Sequence, residues 1–440
     1  MVKGFWRISR VFQHDSLQKR SAGKPTREWL TASFAKPFKI CSNYFSNYPG
    51  RLCLLFTLSG PGSFASVHAQ LMSSSGPDNP PSARPAFRLQ EGGLLVVIFL
   101  LGLFLTIFGG SVRMPEFKTN GVGETEKVLV EKNKFLNARN LTQLAKDTSF
   151  IAIMAVGATF VIISGGIDLS VGAIYALASV LGAIAFHSYG PNGPRASGSP
   201  WIGVLFGMTT CVCAGTLCGS LNGGMIVALK VHPFIITLGT MAIFRGIAFV
   251  ITEGQSVGEF PQAFRNLVKW EIGNELTLVP LGVMVLVTLT GGIYLTRLAA
   301  GRRVYAIGGN ELASRYSGVR VERVKLSVYV ISGLTAGLAA LLALGYYGGA
   351  SSGDGQGYEL NVIAAAVVGG ASLSGGRGSA LGALLGALII QMISSGIVIL
   401  GIKQNYSQII IGAVVILAVV LDQFNTWLAK RRLTAGTPAV

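Results

Sequence analysis

Ionisable side chains are scarce in this sequence. Asp, Glu, Lys and Arg make up 12% of its 440 residues, roughly half the share usual in soluble domains. From 148 to 253 the only ones, Cys and Tyr aside, are Asp168, His187, Arg195, Lys230, His232, Arg245 and Glu253. Such a chain cannot present a hydrated surface over most of its length. With four histidines, and no acid or histidine at ligand spacing from the cysteines, no metal centre is expected. Five cysteines make no disulfide framework. Cys41 and Cys53 lie in an atypical N-terminal region, while Cys211, Cys213 and Cys218 share one apolar run and read as soft packing residues. A phosphate-cradling G-x-x-x-x-G-K-[ST] loop is also missing. The single Gly-Lys pair, Gly23–Lys24, runs into Pro25. The chain is therefore expected to bind no cofactor, hold no catalytic residue and hydrolyse no ATP itself.

What the chain has instead is apolar length. Half of it is hydrophobic, and its mean hydropathy is +0.55. Apolar runs cover about 92–112, 148–165, 169–188, 201–228, 234–252, 277–297, 324–347, 359–375, 378–400 and 405–426. They predict an all-α polytopic membrane protein in the lipid bilayer, with about ten transmembrane helices in a membrane domain over 92–426. Loop charge sets the orientation. Arg297, Arg302, Arg303, Arg315, Arg320, Arg323 and Lys325 crowd one loop, and the tail 427–440 holds Lys430, Arg431 and Arg432. Both termini and the Arg-rich loop are therefore expected in the cytoplasm. The loop 113–147, with seven Lys/Arg against five acids, falls on the opposite side and opposes that orientation. The net charge of +17 follows from basic flanks of membrane spans, so nucleic acid is not an expected partner.

Residues 1–91 differ from the rest. They mix basic, aromatic and Ser/Pro-rich pieces without periodicity and read as a disordered extension, with Met72 a candidate true start. The chain also repeats itself. GGIDLSVGAIYALASVLGA (165–183) aligns without gaps on GGASLSGGRGSALGALLGA (369–387), with Gly165/Gly369, Leu169/Leu373, Ser170/Ser374 and Gly172/Gly376 matched. The copies lie six predicted spans apart, so the repeat is parallel. LSGGR (373–377) echoes the signature of ABC-type ATPases, but a lipid-grade apolar run follows it. It reads as a break between membrane helices.

Several polar residues stand out from this background. Asp168 is costly in a membrane, by about 2.5–3.5 kcal/mol at a helix centre. It reads either as a cap, with Ser170, of the next helix or as a group facing a polar pathway. Asn222, Gly223 and Gly224 weaken a helix before the turn Lys230–His232–Pro233. Arg245 lies well inside the following span and needs a partner or a watery cavity. In GRRVYAIGGNELASRYSGVRVERVK (301–325), Gly308–Gly309 ends one segment and Asn310 can cap a short helix over 311–316, closed by Ser317–Gly318. A capped helix in a basic cytoplasmic loop reads as a docking element for a cytoplasmic partner, the alternative being an ordinary basic loop. Tyr358, Glu359 and Asn361 follow the Gly-rich loop 348–357 and join an aromatic ring to polar groups, a combination that suits a sugar.

FLNARNL (135–141), GGIDLSVGA (165–173), LNGGMIVALKVHPFIITLGTMAIFRGIA (221–248), GRRVYAIGGNELASRYSGV (301–319) and YELNVIAAAVVGGASLSGGRGS (358–379) together resemble the permease subunits of bacterial ABC importers for ribose, xylose and related monosaccharides. The resemblance covers about 92–426. It implies a multi-pass plasma (inner) membrane subunit that moves a monosaccharide. Its implied partners are a second permease subunit, a cytoplasmic ABC ATPase that uses the ATP, and a periplasmic or extracellular sugar-binding protein. It further implies an ATPase-coupling loop at Arg302, Gly309, Asn310, Glu311, Ala313, Arg315 and Gly318. Here that loop departs from the common Glu-Ala-Ala…Gly spacing: Leu312 follows Glu311, and Gly318 falls one place late. Asp168, Ser170, Asn222, Arg245, Tyr358, Glu359 and Asn361 are the pathway candidates. The stretch 118–133 lies outside the resemblance. The alternatives are an ion-coupled secondary transporter, which the few intramembrane acids disfavour, and an ABC permease for a polyol, nucleoside or signalling molecule.

Overall fold

The computed structural model describes residues 89–119, 125–196, 199–272, 276–417, 419, 420 and 423. The expected extension up to residue 88, the Met72 start and the basic tail 427–440 lie outside the described residues. Seven described helices are long and apolar enough to cross a membrane: α1 (Leu89–Phe108), α2 (Ala138–Ile163), α4 (Pro200–Leu229), α5 (Pro233–Thr252), α7 (Leu278–Arg297), α10 (Val321–Tyr347) and α12 (Ala380–Ile399). Three shorter apolar helices complete the set of ten runs: α3 (Val171–His187), α11 (Tyr358–Val368) and the closing helix Gln404–Leu417. The protein is a polytopic, largely helical membrane protein. Short helices α6 (Gln262–Val268), α8 (Ala299–Gly309) and α9 (Glu311–Tyr316) lie between the spans.

The core is layered by exposure. α2 is almost wholly enclosed by other helices, with Ala152, Ile153, Met154 and Ala155 sealed from the surface. α1 sits at the rim and turns Phe99, Leu100, Ile107 and Phe108 outward, as a lipid-facing helix must. α4 and α10 pack closely along much of their length. Gly215 and Gly219 of α4 face Gly333 and Gly337 of α10 so tightly that a Cβ at Gly219 would overlap the Tyr329 carbonyl oxygen. Small residues allow two backbones to meet where no hydrophobic effect drives them together. Cys211 packs in the same seam, its Sγ 3.4 Å from the Gly337 carbonyl, and Cys218 is buried too. Cys213 faces outward.

Four expectations are corrected. The second span begins at 138 and not 148, because Asn137 caps it by accepting from Asn140 N at 2.8 Å. The stretch 113–147 is thus shorter as a loop than expected. Strands β1 (Ser111–Thr119) and β2 (Thr125–Asn133) pair antiparallel there, from Ser111↔Asn133 to Thr119↔Thr125, so part of the 118–133 stretch is strand and 120–124 lies outside the described residues. Asn222, Gly223 and Gly224 do not weaken α4. The helix runs through them to Leu229, and the turn comes at left-handed Lys230 (φ 54°). Gly223 packs on Leu326 and Tyr329 of α10, so tertiary contact offsets its low helix propensity. The eighth run is helical only to Val368. Residues 369–379 form a break in which Gly370, Gly375, Gly376 and Gly378 all have positive φ.

The repeat is visible as two breaks of the same sense, α2–break–α3 and α11–break–α12. Val171, which opens α3, aligns on Gly375, yet α12 does not start until Ala380. Left-handed glycines delay the second helix.

Candidate functional site

Two of the predicted clusters gather at different levels of the bundle. In the first break, Asp168 is buried with Ser170 and Asn222. Its Oδ1 accepts from Ser170 N at 3.0 Å and from Ser170 Oγ at 2.6 Å. Its Oδ2 accepts from Ser332 Oγ at 2.8 Å. Asn222 Nδ2 donates to Ser170 Oγ at 2.7 Å. Asp168 thus satisfies the start of α3 as an Asx-type turn while Ser170 occupies the cap position. Ser332 follows Val321, the first residue of α10, by 11 positions, about 16 Å of helical rise. The cluster therefore ties α3, α4 and α10 together near mid-bundle. Tyr329 adds its hydroxyl to the Ile167 carbonyl at 3.3 Å. These side chains are spent on one another, with Asn222 Oδ1 left buried and unpartnered.

The α8–α9 end matches the local chemistry. Asn310 Oδ1 accepts from Ala313 N at 2.9 Å and opens α9. Gly318 closes the turn at φ +81°. Glu311 is held by Lys325 at 2.8 Å and lies 3.6 Å from Arg315, while Arg315 pairs with Glu322 at 2.6 Å. The Glu322 partner holds the Arg315 guanidinium above its already high pKa. Arg302, one turn into α8, is exposed and donates to the Arg297 carbonyl at 3.3 Å; Gly309 is exposed as well. With Ser314 turned inward, α9 presents Leu312 and Tyr316, exposed at 65% and 87%. Neither belongs to the expected docking set, although an apolar pair at i and i+4 on a six-residue capped helix is the signal for them.

α8 meets the first break directly. A Cβ at Gly308 would overlap the Ile163 carbonyl, and Gly376 N donates to that same carbonyl at 2.8 Å. Tyr305 donates to the Gly378 carbonyl at 2.7 Å. Both breaks therefore converge on the end of α8. A cavity of about 330 Å³ lies here, lined by Gly165, His232, Gly308, Glu311, Lys325 and Tyr329. Ser379 Oγ donates to Glu91 at 3.1 Å, so α1 starts at this same end.

The remaining candidates lie toward the other end. Arg245 of α5 donates through Nη1 to the carbonyls of Ser352 and Asp354 at 3.0 and 3.1 Å. It pins the Gly-rich loop ahead of α11. Asp354 Oδ2 accepts from Ser351 N at 2.9 Å, and burial raises this carboxyl above its usual pKa, opposed by Arg245. Tyr358 opens α11 beside Tyr175, with ring centroids 5.4 Å apart. Glu359 reaches back to Gly357 N at 3.3 Å. Asn361, one turn on, is half-buried within α11. Arg245, Tyr358 and Glu359 are thus gathered on the loop before α11, and the Asp168, Ser170 and Asn222 group adjoins them, since a Cβ at Gly172 would meet Glu359 Oε2 and the Gly355 carbonyl. Ser332, Tyr175 and Asp354 complete these groups and are not among the sequence-based candidates. Tyr175 and Ser332 carry only a faint signal, as polar atoms inside apolar runs.

The family described as "Branched-chain amino acid transport system / permease component" matches residues 140–419. The chain is 37% identical over 290 residues to the ribose import permease protein RbsC of Escherichia coli (strain K12), covering 66% of this chain and 87% of that protein. It is 39% identical over 325 residues to the ribose import permease protein RbsC of Bacillus subtilis (strain 168), 73% of this chain and 91% of that one. It is 35% identical over 325 residues to the D-allose transport system permease protein AlsC of E. coli (strain K12), 74% and 90% of the two chains.

Proposed function

The chain belongs to the branched-chain amino acid transport system permease family, and we propose that it is the membrane subunit of an ATP-driven importer that carries a monosaccharide. The observation that carries this reading is α9. It is a capped, ion-paired, six-residue helix that turns Leu312 and Tyr316 outward, and it follows directly on α8, whose Gly308 abuts both helix breaks of the bundle. A partner that moves α9 moves the breaks. The chain has no phosphate-cradling loop of its own, so a separate cytoplasmic ABC ATPase supplies the ATP chemistry. Arg302, Gly309, Asn310, Glu311, Ala313, Arg315 and Gly318 form its docking element with Leu312 and Tyr316.

The sugar reading is supported by relatives named for ribose and allose import, against a family description that names amino acids. The Arg-rich α8–α10 end faces the cytoplasm on this reading. The β1–β2 hairpin then lies outside. Its lysines there oppose the charge rule that places the α8–α10 end inside. An external binding protein delivers the sugar there, and a second permease subunit completes the membrane part.

Co-purification from the native membrane in mild detergent tests the reading. The expected result is a stoichiometric ABC ATPase, with a sugar-binding protein in crosslinked samples. A chain that emerges alone, with uptake abolished by an uncoupler, would overturn it in favour of ion-coupled transport.

A further inference from the structure

A second cavity, of about 270 Å³, lies between α3, the C-terminal end of α10 and the loop before α11. Tyr175, Ser179, Tyr347, Asp354, Gly355 and Tyr358 shape it. The size falls just below the usual ligand-pocket range of about 300–1,000 Å³, which suits one ring and not a chain of rings. Its walls are fixed by backbone. Arg245 holds the loop through two carbonyls. Gly355, at φ +66°, lets the loop approach the Tyr175 ring to a distance at which a Cβ would clash.

The chemistry of the lining is specific. Among the described residues, the Tyr175, Ser179 and Tyr358 side chains make no hydrogen bond, and Tyr347 makes one long one, 3.4 Å, to Asp147. Asp354 spends one carboxylate oxygen on Ser351 N. So three unbonded hydroxyls, the weakly held Tyr347 hydroxyl and one carboxylate oxygen stand at the wall of a partly open space. Each hydroxyl can both donate and accept. The Tyr175 and Tyr358 rings, tilted by 53°, offer apolar faces beside them. Hydroxyls of both senses next to aromatic faces match a ring that has C–H faces and several hydroxyls. Among the described residues no Lys or Arg lines the cavity, and the Arg245 Nη1 that reaches the loop is already bonded to it. An anion would meet the Asp354 carboxylate with no cation in the lining beside it. A zwitterionic amino acid could place its ammonium at Asp354 but would leave its carboxylate without a cation.

We propose that this cavity is a substrate subsite of the permease itself, taking a neutral monosaccharide ring and rejecting anionic sugars through Asp354. The proposal rests on the transport reading above and adds a selective site within the membrane subunit.

The test uses the complete transporter, this chain with its ATPase and binding protein, in proteoliposomes. Labelled D-ribose, D-allose and D-fructose are the probes, with leucine as the amino-acid comparison. Tyr175→Phe, Ser179→Ala and Tyr358→Phe each delete one hydroxyl and little else. Each is expected to lower kcat/KM for the transported sugar threefold to tenfold, and Asp354→Asn to reduce discrimination against a uronic acid of similar size about tenfold. A second readout avoids dependence on turnover: labelling of Ser179→Cys by a water-soluble maleimide is expected to slow at least fivefold in saturating sugar. Unchanged kcat/KM in all three hydroxyl variants, or labelling indifferent to sugar, overturns the subsite while leaving the transport reading intact. Wild-type proteoliposomes that move leucine and none of the sugars overturn both.

Discussion

Asp168 and Ser332 are 164 positions apart in the chain, and their side chains meet at 2.8 Å in the middle of the bundle. The bond joins the break before α3 to the interior of α10, and both residues are buried. Removing the hydroxyl leaves a buried carboxylate short of one donor, a loss of about 1–3 kcal/mol. Ser332→Ala should therefore lower the apparent melting temperature in mild detergent, read by fluorescence-detected size exclusion. Ser332→Thr, which keeps the hydroxyl, should recover part of the loss. An Ala variant that melts with the wild type would mean that the contact holds nothing together.

The α4–α10 seam separates two glycines that look alike in the sequence. Gly219 meets the Tyr329 carbonyl and the Gly333 backbone, whereas nothing lies within 4 Å of the point where a Cβ on Gly224 would sit. Gly219→Leu should thus push the helices apart and abolish monodisperse expression. Gly224→Ala should be neutral or gain about 1 kcal/mol from better helix propensity. Equal behaviour of the two variants would refute the close-packed seam.

Much of this architecture is legible in the sequence because it is written in local chemistry. The ten apolar runs each correspond to a helix, and α9 can be read residue by residue, since Asn310 and Gly318 act only on neighbours in the chain. What is not legible depends on distant partners. Nothing near Ser332 announces Asp168. Asn222–Gly224 read as a break because propensity is local, while the contact with α10 that sustains the helix is not. The hairpin is obscured because its alternation, SVRMPEFKT against TEKVLVEKN, is carried by charged residues that also read as a loop. Nor does composition tell enclosed α2 from lipid-facing α1, because protein interior and lipid select the same side chains. The candidate site is half-legible: Arg245, Tyr358 and Glu359 do converge, but Tyr175 and Asp354 complete that group.

Burial of Asp354 has a consequence for pH. Its folded-state pKa is raised above the ordinary value of 3.8, desolvation outweighing the Ser351 N–H and the Arg245 charge. The other side chains facing it, Tyr175, Tyr347 and Tyr358, are uncharged in acid. The folded chain therefore keeps this proton to higher pH than the unfolded chain does. Above pH 3.8, up to the raised pKa, the folded state binds more protons, and this carboxyl's contribution to stability falls as pH rises. Asp354→Asn removes that contribution. The difference in melting temperature, variant minus wild type, should grow from about pH 4 upward and then level off. A difference independent of pH would show that the carboxyl is not desolvated.

The Glu311–Lys325 pair, 2.8 Å apart, separates two roles that a single substitution would confuse. Both side chains are partly exposed, so the pair adds little to global stability. Its effect is geometric: it fixes the pitch of α9 against the start of α10. Glu311→Lys puts a new ammonium against the Arg315 and Lys325 cations, and should abolish ATP-driven uptake while the chain still inserts and assembles. The double variant Glu311→Lys with Lys325→Glu restores an opposite-charge pair in reverse. If Glu311 acts by positioning α9, the double variant regains a large part of uptake, with ATPase stimulation recoupled to transport. If Glu311 instead touches the ATPase directly, the internal pair reforms but the partner still meets the wrong charge, and uptake stays lost. Uptake and ATP hydrolysis measured together in the wild type and both variants distinguish these outcomes. Full uptake in the single Glu311→Lys variant would remove α9 from the coupling mechanism altogether.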